Sequence, residues 1–366
     1  MLLTLESLDI ILLTVEIEKA LKYNVYNHIL KLSKQSLFHF RHQPSLNIMY
    51  KIGIIQKIHD AGLELLKAHG NFEYEIIDDV SEENLLKKIH LYDGVSLRVS
   101  KLSNNLLSKA TKLKVISRHG VGYDNVDTLY LKQNNITLLI TASANAIAVS
   151  EHVFYLMLAI SKNFLNLDNE VRIGNFKNNM NNFETFELHN KEILIAGFGR
   201  IGKNLIKKCL GFDMNVKVYD PFVDKKIISD MGGDKVDNFD DALKSLDFLS
   251  VHMPLNKNTK DLINFNKMKT MKKSSIIINT ARGGIVNETD LNQAINENII
   301  LGAGLDVFSN EPINLDNPIL KNKKIILSPH TAALTNECKI RMSIETAKNI
   351  IDFFEKKIDK NMLVKL

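Results

Sequence analysis

The segment KEILIAGFGRIGKNLIKKCLGFDMNVKVYD, residues 191–220, decides the fold because it contains one complete strand, turn, helix and strand. The apolar run at its start is typical of a buried parallel strand, and Gly197, Gly199 and Gly202 follow at G-x-G-x-x-G spacing. The first glycine permits a tight turn, the second lets the backbone approach a pyrophosphate, and the third lets the helix pack closely on the strand. The segment therefore predicts a dinucleotide-binding unit, with phosphate at the N-terminus of the helix.

An acidic residue ends the second strand of this unit. Asp220 stands where a carboxylate would accept hydrogen bonds from the adenosine ribose. Pro221 and Phe222 follow it with no adjacent Arg or Lys, so a 2′-phosphate would meet only repulsion. NAD is therefore the predicted cofactor, in preference to NADP. A glycine turn in another kind of α/β sheet is the alternative interpretation of the motif.

The composition is that of an ordinary globular protein, with 45% hydrophobic and 24% charged residues over 366 positions. The net charge of +5 comes from scattered lysines, which favours attraction of small anions over nucleic-acid binding. Cys209 and Cys338 fit neither a disulfide framework nor a zinc site, so we predict a cytoplasmic protein without a metal. No apolar run suits a membrane span, and the acidic residues of the opening segment argue against a signal peptide.

Alternating strand and helix patterns occupy most of the chain and predict parallel strands joined by helices. Residues 1–48 precede this pattern and are expected to form an N-terminal extension that packs loosely or is disordered. We predict a substrate-binding domain from residues 49–149 plus 335–366 and an NAD-binding domain from residues 150–334. The expected fold class is α/β, with two doubly wound parallel sheets, Rossmann-like or flavodoxin-like, and the nucleotide domain inserted into the substrate domain.

Two long helices are expected to connect these domains. The stretch SEHVFYLMLAISKN, residues 150–163, is apolar on nearly every face, which predicts burial either between the domains or in the interface of a homodimer. An amphipathic pattern from Thr335 to Lys357 predicts a final helix that returns to the first domain.

Three polar residues follow predicted strands beyond the dinucleotide turn: Arg282, Glu311 and His330. Hydride transfer to or from an alcohol carbon needs a group that exchanges the hydroxyl proton near neutral pH, and histidine is suited to it. A carboxylate bonded to the far ring nitrogen fixes the tautomer and favours the imidazolium, and an arginine holds a substrate carboxylate. Each residue alone could be structural. Together, at successive strand ends, they predict a catalytic site, and the other histidines are assigned no role.

With these motifs the chain resembles the NAD-dependent D-2-hydroxyacid dehydrogenase family, and within it the D-3-phosphoglycerate dehydrogenase-like branch. The resemblance is carried, in chain order, by SRHGVGYDNVD, GFGRIG, VYDP, NTARGGIV, GLDVFSNEP and SPHTAA. It implies that His330 is the general acid and base, that Glu311 supports it and that Arg282 binds substrate. Formate dehydrogenases of the same superfamily carry glutamine where Glu311 stands, which argues against that reaction.

The resemblance also implies a set of binding residues. The backbone around Gly120, Val121 and Gly122 is expected to hold the substrate carboxylate. Asp306 is expected to reach the nicotinamide carboxamide. The full set expected to bind the dinucleotide is Val121, Gly197, Gly199, Arg200, Ile201, Gly202, Asp220, Met253, Thr280 and Asp306.

The motifs leave the substrate open. Arg98, Lys101 and Arg118 could bind a substrate phosphate or be surface charges, and Arg98 alone is predicted as a substrate contact. The expected reaction is hydride transfer between NAD(H) and a D-2-hydroxy acid or 2-oxo acid, with 3-phosphoglycerate as one candidate. A glyoxylate or hydroxypyruvate reductase is the enzymatic alternative, and a non-catalytic NAD-sensing regulator, similar to the corepressors that resemble this family, is the other.

The expected partners are a small-molecule substrate and a second copy of the chain, with no nucleic acid and no membrane. Because the sequence ends with the catalytic core, the C-terminal regulatory domain of some phosphoglycerate dehydrogenases is expected to be absent.

Overall fold

A computed structural model describes residues 48–176 and 183–366 of the chain. The expectations for the N-terminal extension therefore lie outside the described residues, apart from residue 48 itself. Within the described ranges, no helix is both long and apolar enough to cross a bilayer.

The first sheet contains five parallel strands in the spatial order β2-β1-β3-β4-β5, which is the flavodoxin-like order. Its strands are β1 (Tyr50–Ile55), β2 (Phe72–Ile77), β3 (Gly94–Leu97), β4 (Val115–Arg118) and β5 (Thr137–Ile140). The connections contain α1 (Asp60–His69), α2 (Glu82–Lys88), a 3₁₀ turn (Ile89–Leu91), α3 (Asn104–Leu107) and α4 (Thr128–Gln133). Serine side chains begin two of these helices, because Ser81 and Ser103 accept hydrogen bonds from backbone N–H groups of α2 and α3.

The second sheet contains seven strands in the order β12-β11-β10-β9-β6-β7-β8, so the chain winds outward in both directions from β6 and β9, as in a Rossmann fold. Its strands are β6 (Glu192–Ala196), β7 (Asn215–Tyr219), β8 (Asp234–Lys235), β9 (Phe248–Val251), β10 (Ile276–Asn279), β11 (Gly302–Leu305) and β12 (Ile325–Leu327). The remaining helices are α5 (Ala146–Ser161), α6 (Phe164–Arg172), α7 (Arg200–Gly211), α8 (Lys225–Ser229), α9 (Phe239–Leu243), α10 (Phe265–Met268), α11 (Glu288–Asn296), a 3₁₀ turn (Pro318–Lys321) and α12 (Asn336–Phe354). The predicted fold class is confirmed.

The dinucleotide segment folds as β6, α7 and β7. Ile193 and Ile195 are fully buried, and burial of each such side chain contributes about 1.5–3 kcal/mol. Gly197 turns the chain at φ +102°, a conformation that residues with a Cβ rarely adopt. A Cβ on Gly202 would lie 2.5 Å from the carbonyl oxygen of Gly197, so only glycine lets α7 lie this close to the turn.

Helix α5 packs on the second sheet. Val153, Leu156 and Met157 are fully buried and belong to the same apolar cluster as Ile193 and Ile195 of β6. The helix begins earlier than the apolar pattern indicated, at Ala146, and ends at Ser161. The short helix α6, which follows it, has no counterpart in the sequence expectations.

The last helix, α12, packs on the first sheet. Ser343 accepts a hydrogen bond from Gly62 N at 3.2 Å, and Asn349 donates to the carbonyl of Ile140 at 3.1 Å. The chain beyond α12 continues along β5, where Ile140 N donates to Met362 O at 2.9 Å. The chain therefore crosses between the sheets twice, before α5 and before α12, while the exact domain boundaries stay a prediction.

The contact of Gly202 with the turn gives a first test, because Gly211 on the same helix provides a matched control. We expect Gly202→Ala to lower the free energy of unfolding by about 1–3 kcal/mol, since the new methyl group would displace the Gly197 carbonyl. No described atom lies within 4 Å of the corresponding position at Gly211, so Gly211→Ala should change stability by less than about 1 kcal/mol. Thermal and urea unfolding of both variants measure the difference, and equal effects would contradict the packing argument.

Candidate active site

The candidate site lies where loops from both sheets meet. Residues Tyr50–Leu366 form one compact unit. The loops after β10, β11 and β12 carry Arg282, Glu311 and His330, and the loop after β4 carries the glycines of the GVG sequence. A Cβ on Gly122 would lie 1.2 Å from Arg282 Nη2, so the arginine occupies the space beside that glycine. The structure thus brings the predicted catalytic arginine against the predicted carboxylate-binding loop.

His330 and Glu311 form a hydrogen-bonded pair, with 2.7 Å between Nδ1 and Oε2. Burial raises the pKa of Glu311, but hydrogen bonds from His330 and from Phe308 N outweigh that effect, so the net pKa is lowered. Glu311 is therefore ionised near neutral pH and can only accept. His330 consequently carries a proton on Nδ1, which leaves Nε2 of the neutral ring as the atom that accepts a proton from substrate.

The Arg282 guanidinium is oriented by two contacts. Its Nε donates to Asp124 Oδ2 at 2.8 Å, and its Nη1 donates to the carbonyl of Ala281 at 2.7 Å. These bonds direct Nη2 toward Gly122, where it can donate to a substrate carboxylate. Asp124 was missed by the sequence reasoning, because nothing in the local pattern indicates that its side chain reaches the other sheet.

Two further arginines lie close to this loop. Arg118 is largely buried, and burial together with the positive charges of Arg282 and Arg98 lowers its pKa to about 10. Its Nη1 donates to His119 O at 2.6 Å, while Arg98 Nη1 donates to Lys57 O at 3.1 Å. Arg98 and Arg118 therefore add positive potential at the site, whereas Lys101 is simply exposed on the surface.

A groove of about 760 Å³ runs past the glycine turn. Of the residues predicted for the dinucleotide, Gly197, Gly199, Asp220 and Met253 line it. Asp220 accepts hydrogen bonds from Phe198 N at 2.8 Å and from Phe222 N at 2.9 Å, and each oxygen keeps a free lone pair. Residues of the lining that the sequence reasoning missed include Asn238, Phe239, His252, Pro254 and Lys267. They come from loops and short helices whose sequences carry no phosphate or nucleotide motif.

The other predicted cofactor residues lie outside this groove lining. Arg200 begins α7 and donates to Asn361 O at 3.3 Å, and Ile201 and Gly202 follow it in the helix. Thr280 is buried, and its hydroxyl has no hydrogen-bond partner among the described residues. Asp306 is 1% exposed, and its carboxylate accepts from Ser328 Oγ and from the backbone of the turn at His330.

These features fit a bound dinucleotide. No described atom lies within 4 Å of the position that a Cβ on Gly199 would take, so this side of the turn is open to a phosphate. Asp220 retains acceptors for a ribose, and the unpaired hydroxyl of Thr280 can bond to the ligand. Among the described residues, no group of three or more His, Cys, Asp or Glu side chains could hold a metal ion.

Comparison with known proteins gives the class. The family model for the D-isomer specific 2-hydroxyacid dehydrogenase NAD binding domain matches residues 154–332. The D-3-phosphoglycerate dehydrogenase of Methanocaldococcus jannaschii is 33% identical over 86% of this chain and 59% of its own length. The glyoxylate reductase of Thermococcus litoralis is 34% identical over 86% of this chain and 97% of its own. A structure of D-lactate dehydrogenase from Aquifex aeolicus, complexed with NAD and lactic acid, is 27% identical with a TM-score of 0.75, and the match covers 86% of this chain and 98% of that one.

The chain belongs to the D-isomer specific 2-hydroxyacid dehydrogenase family. The predictions of the family and of NAD as cofactor are thereby confirmed. The chain spans 59% of the length of the Methanocaldococcus enzyme, so similarity to that enzyme covers only part of it.

Two histidines near the site, His119 and the partly buried His252, predict that acid destabilises the folded protein. Burial lowers the pKa of His119 and of His252 to about 4 from 6.5, with the charges of Arg98 and Arg118 adding to the effect at His119. Below pH 6.5 the unfolded chain binds protons at these residues that the folded chain does not. These two residues therefore leave the free energy of unfolding at its full value above pH 6.5. They lower it as the pH falls from 6.5 toward about 4, each by up to about 1.4 kcal/mol per pKa unit.

Urea unfolding at about pH 7.5 and about pH 5 measures this loss. We expect His252→Gln to reduce the difference between the two pH values, because one of the two titrating groups is removed. His189→Gln is the control, since the His189 side chain is 58% exposed and should leave the difference unchanged. An undiminished difference in His252→Gln would show that His252 is not responsible.

Proposed function

We propose that the protein is an oxidoreductase that transfers a hydride between NAD(H) and a D-2-hydroxy acid or the matching 2-oxo acid. The observation that carries this proposal is the His330–Glu311 pair, at 2.7 Å, beside an arginine aimed at the GVG loop. The pair supplies proton exchange, and the arginine supplies carboxylate recognition. Both are needed for chemistry at a carbon that bears a hydroxyl next to a carboxylate.

In the oxidative direction, His330 Nε2 accepts the hydroxyl proton while the hydride leaves C2. The nicotinamide cofactor, when bound, accepts that hydride. Glu311 stabilises the imidazolium that forms, because its carboxylate bonds Nδ1–H on the opposite side of the ring. In reduction His330 returns the proton to the oxygen. Arg282 Nη2 holds the carboxylate throughout, together with the backbone of Gly120, Val121 and Gly122.

The residues proposed to hold the cofactor are the ten predicted from the sequence: Val121, Gly197, Gly199, Arg200, Ile201, Gly202, Asp220, Met253, Thr280 and Asp306. The groove favours NAD over NADP, because the carboxylates of Asp220, Asp237 and Asp240 would all repel a 2′-phosphate. Lys267, the cationic side chain of the lining, is paired with Asp240.

For the substrate, we propose an acid with a second anionic group. Arg98 and Arg118 are supporting residues, since positive charge beyond what one carboxylate requires surrounds the GVG loop. A phosphorylated acid such as 3-phosphoglycerate meets this condition. A glyoxylate or hydroxypyruvate reductase is the second candidate, favoured by the similarity to the Thermococcus glyoxylate reductase over 97% of that chain.

We further propose residues 49–149 plus 335–366 as the substrate-binding domain and residues 150–334 as the NAD-binding domain. We propose the cytoplasm as the compartment.

The proposal of a homodimer is supported by an apolar surface around α6. Phe164, Leu165, Val171 and Ile173 are each more than half exposed there, which is costly for side chains that face water. A second copy of this chain would bury them.

Replacement of the proposed acid and base tests the chemistry. We expect His330→Ala to lower kcat by about 10²- to 10⁴-fold, because the hydroxyl proton then lacks an acceptor. NADH affinity, measured by fluorescence, should stay close to that of the parent protein. NADH oxidation is followed with 3-phosphohydroxypyruvate, hydroxypyruvate and glyoxylate.

His189→Ala serves as the matched histidine control, since His189 lies on the surface. If His330→Ala keeps turnover and loses NADH binding, the assigned role is wrong. If the parent protein binds NADH tightly but oxidises it with none of the three acids, the NAD-sensing regulator becomes the better proposal.

The oligomeric state tests the apolar surface. We expect a mass of twice 41.5 kDa by light scattering for the parent protein and a shift toward the single chain in Val171→Asp. A charge at the centre of an apolar interface must be desolvated without a partner, which opposes association. Leu315→Asp is the control, because Leu315 is 85% exposed outside this surface. A monomeric parent protein would refute the homodimer.

A further inference from the structure

Behind His330, three side chains form a hydrogen-bonded series, and of the three only Asp306 has a role in the function proposed above, as a cofactor residue. His152 Nε2 lies 2.8 Å from Ser328 Oγ, and Ser328 Oγ lies 2.6 Å from Asp306 Oδ1. His152 belongs to α5, whereas Asp306 follows β11 and Ser328 follows β12. The series therefore joins a helix to the two strand ends next to His330.

The direction of these hydrogen bonds follows from their partners. Asp306 accepts from the backbone N–H groups of Thr331 and Ala332, which can only donate, so its carboxylate acts as an acceptor. The Ser328 hydroxyl therefore donates to Asp306 and accepts from His152. Burial lowers the pKa of His152, although Asp306 opposes this, so the ring is neutral with its proton on Nε2.

The series ends on the backbone of the catalytic turn. Asp306 binds the N–H of Thr331 at 2.9 Å and of Ala332 at 3.0 Å, and its carbonyl accepts from His330 N at 2.9 Å. His330 has φ +53°, a left-handed conformation that costs a residue with a side chain about 1–2 kcal/mol. The hydrogen bonds to Asp306 hold the backbone in this conformation, which sets the direction of the imidazole.

We propose that His152 is a positioning residue for the hydride transfer. Through Ser328 and Asp306 it holds the turn at His330 so that Nε2 faces the substrate. The inference rests on the proposed function, in which His330 exchanges the proton. His152 itself touches no substrate, and its contribution is to keep Asp306 in one orientation.

The test compares variants that keep or remove the donor at position 152. His152→Gln retains an N–H that can reach Ser328 Oγ, whereas His152→Leu removes it and keeps an apolar side chain of moderate size. Ser328→Ala interrupts the series one step later. His189→Leu is the control for loss of a surface histidine. The measurements are kcat and KM for the best oxo acid, the Kd for NADH and the melting temperature.

We expect His152→Leu and Ser328→Ala to lower kcat about tenfold or more, and by a larger factor than they raise the Kd for NADH, to which Asp306 also contributes. His152→Gln should recover most of the lost kcat. The double variant His152→Leu/Ser328→Ala should have a kcat no lower than that of the slower single variant, because both changes interrupt the same series. Equal kcat in all variants, or a glutamine variant as slow as the leucine variant, would overturn the proposal.

A measurement without substrate separates this inference from the proposed function. In protein with ¹³Cε1-labelled histidine, the His330 resonance is assigned by its absence in His330→Gln. It should move in His152→Leu and Ser328→Ala but keep its position in His152→Gln. An unchanged resonance in the first two variants refutes the inference even if no oxo acid is turned over, whereas a shifted one supports it. If His152→Leu does not fold, Ser328→Ala carries the comparison.

Discussion

The close approach of Arg282 to Gly122 is the contact on which the site depends, because a single methyl group at that position would occupy the place of Nη2. Gly283, which follows Arg282 in the chain, is a second position with no room for a side chain. A Cβ on Gly283 would lie 1.9 Å from the carbonyl carbon of Phe308, so the loop that carries Glu311 packs directly on the backbone next to Arg282. The groups proposed for catalysis are adjacent because glycines let three loops share a space too small for side chains.

At the site, Glu311 and Asp124 bond the side chains proposed to act on substrate, whereas the charge of Arg118 is compensated only in part by the nearby Asp124. Glu311 bonds His330, and Asp124 bonds Arg282. Arg118 has no comparable carboxylate contact in the described structure, and its lowered pKa, about 10, records burial and repulsion by its arginine neighbours. An anion bound at the GVG loop would relieve that repulsion. Burial lowers the pKa of His119, the histidine that follows Arg118, to about 4, and the charges of Arg98 and Arg118 add to this effect.

Local patterns in the sequence predicted the fold well, because apolar runs and glycine spacing report the strands, the turn and α7 directly. The proximity of Arg282, Glu311 and His330 could also be predicted, since parallel strands place their carboxyl ends along one edge. Contacts between segments that are distant in the sequence could not be predicted from these local patterns. Asp124 reaches Arg282 from the other sheet, and His152 reaches Ser328 from a helix that the sequence marked only as apolar. Helix α6 was missed because it is short and buries none of its residues, so the polar sequence around it was interpreted as a loop.

The position of the hydrogen-bonded series from His152 to Asp306 suggests why the turn is held so firmly. The chain crosses between the two sheets before α5 and again between His330 and α12. His152 lies just after the first crossing, and the backbone groups bound by Asp306 lie at the start of the second. Any change in the angle between the sheets must be absorbed at these crossings. The series joins both crossings to the end of β11 and so holds the backbone at His330 to the second sheet.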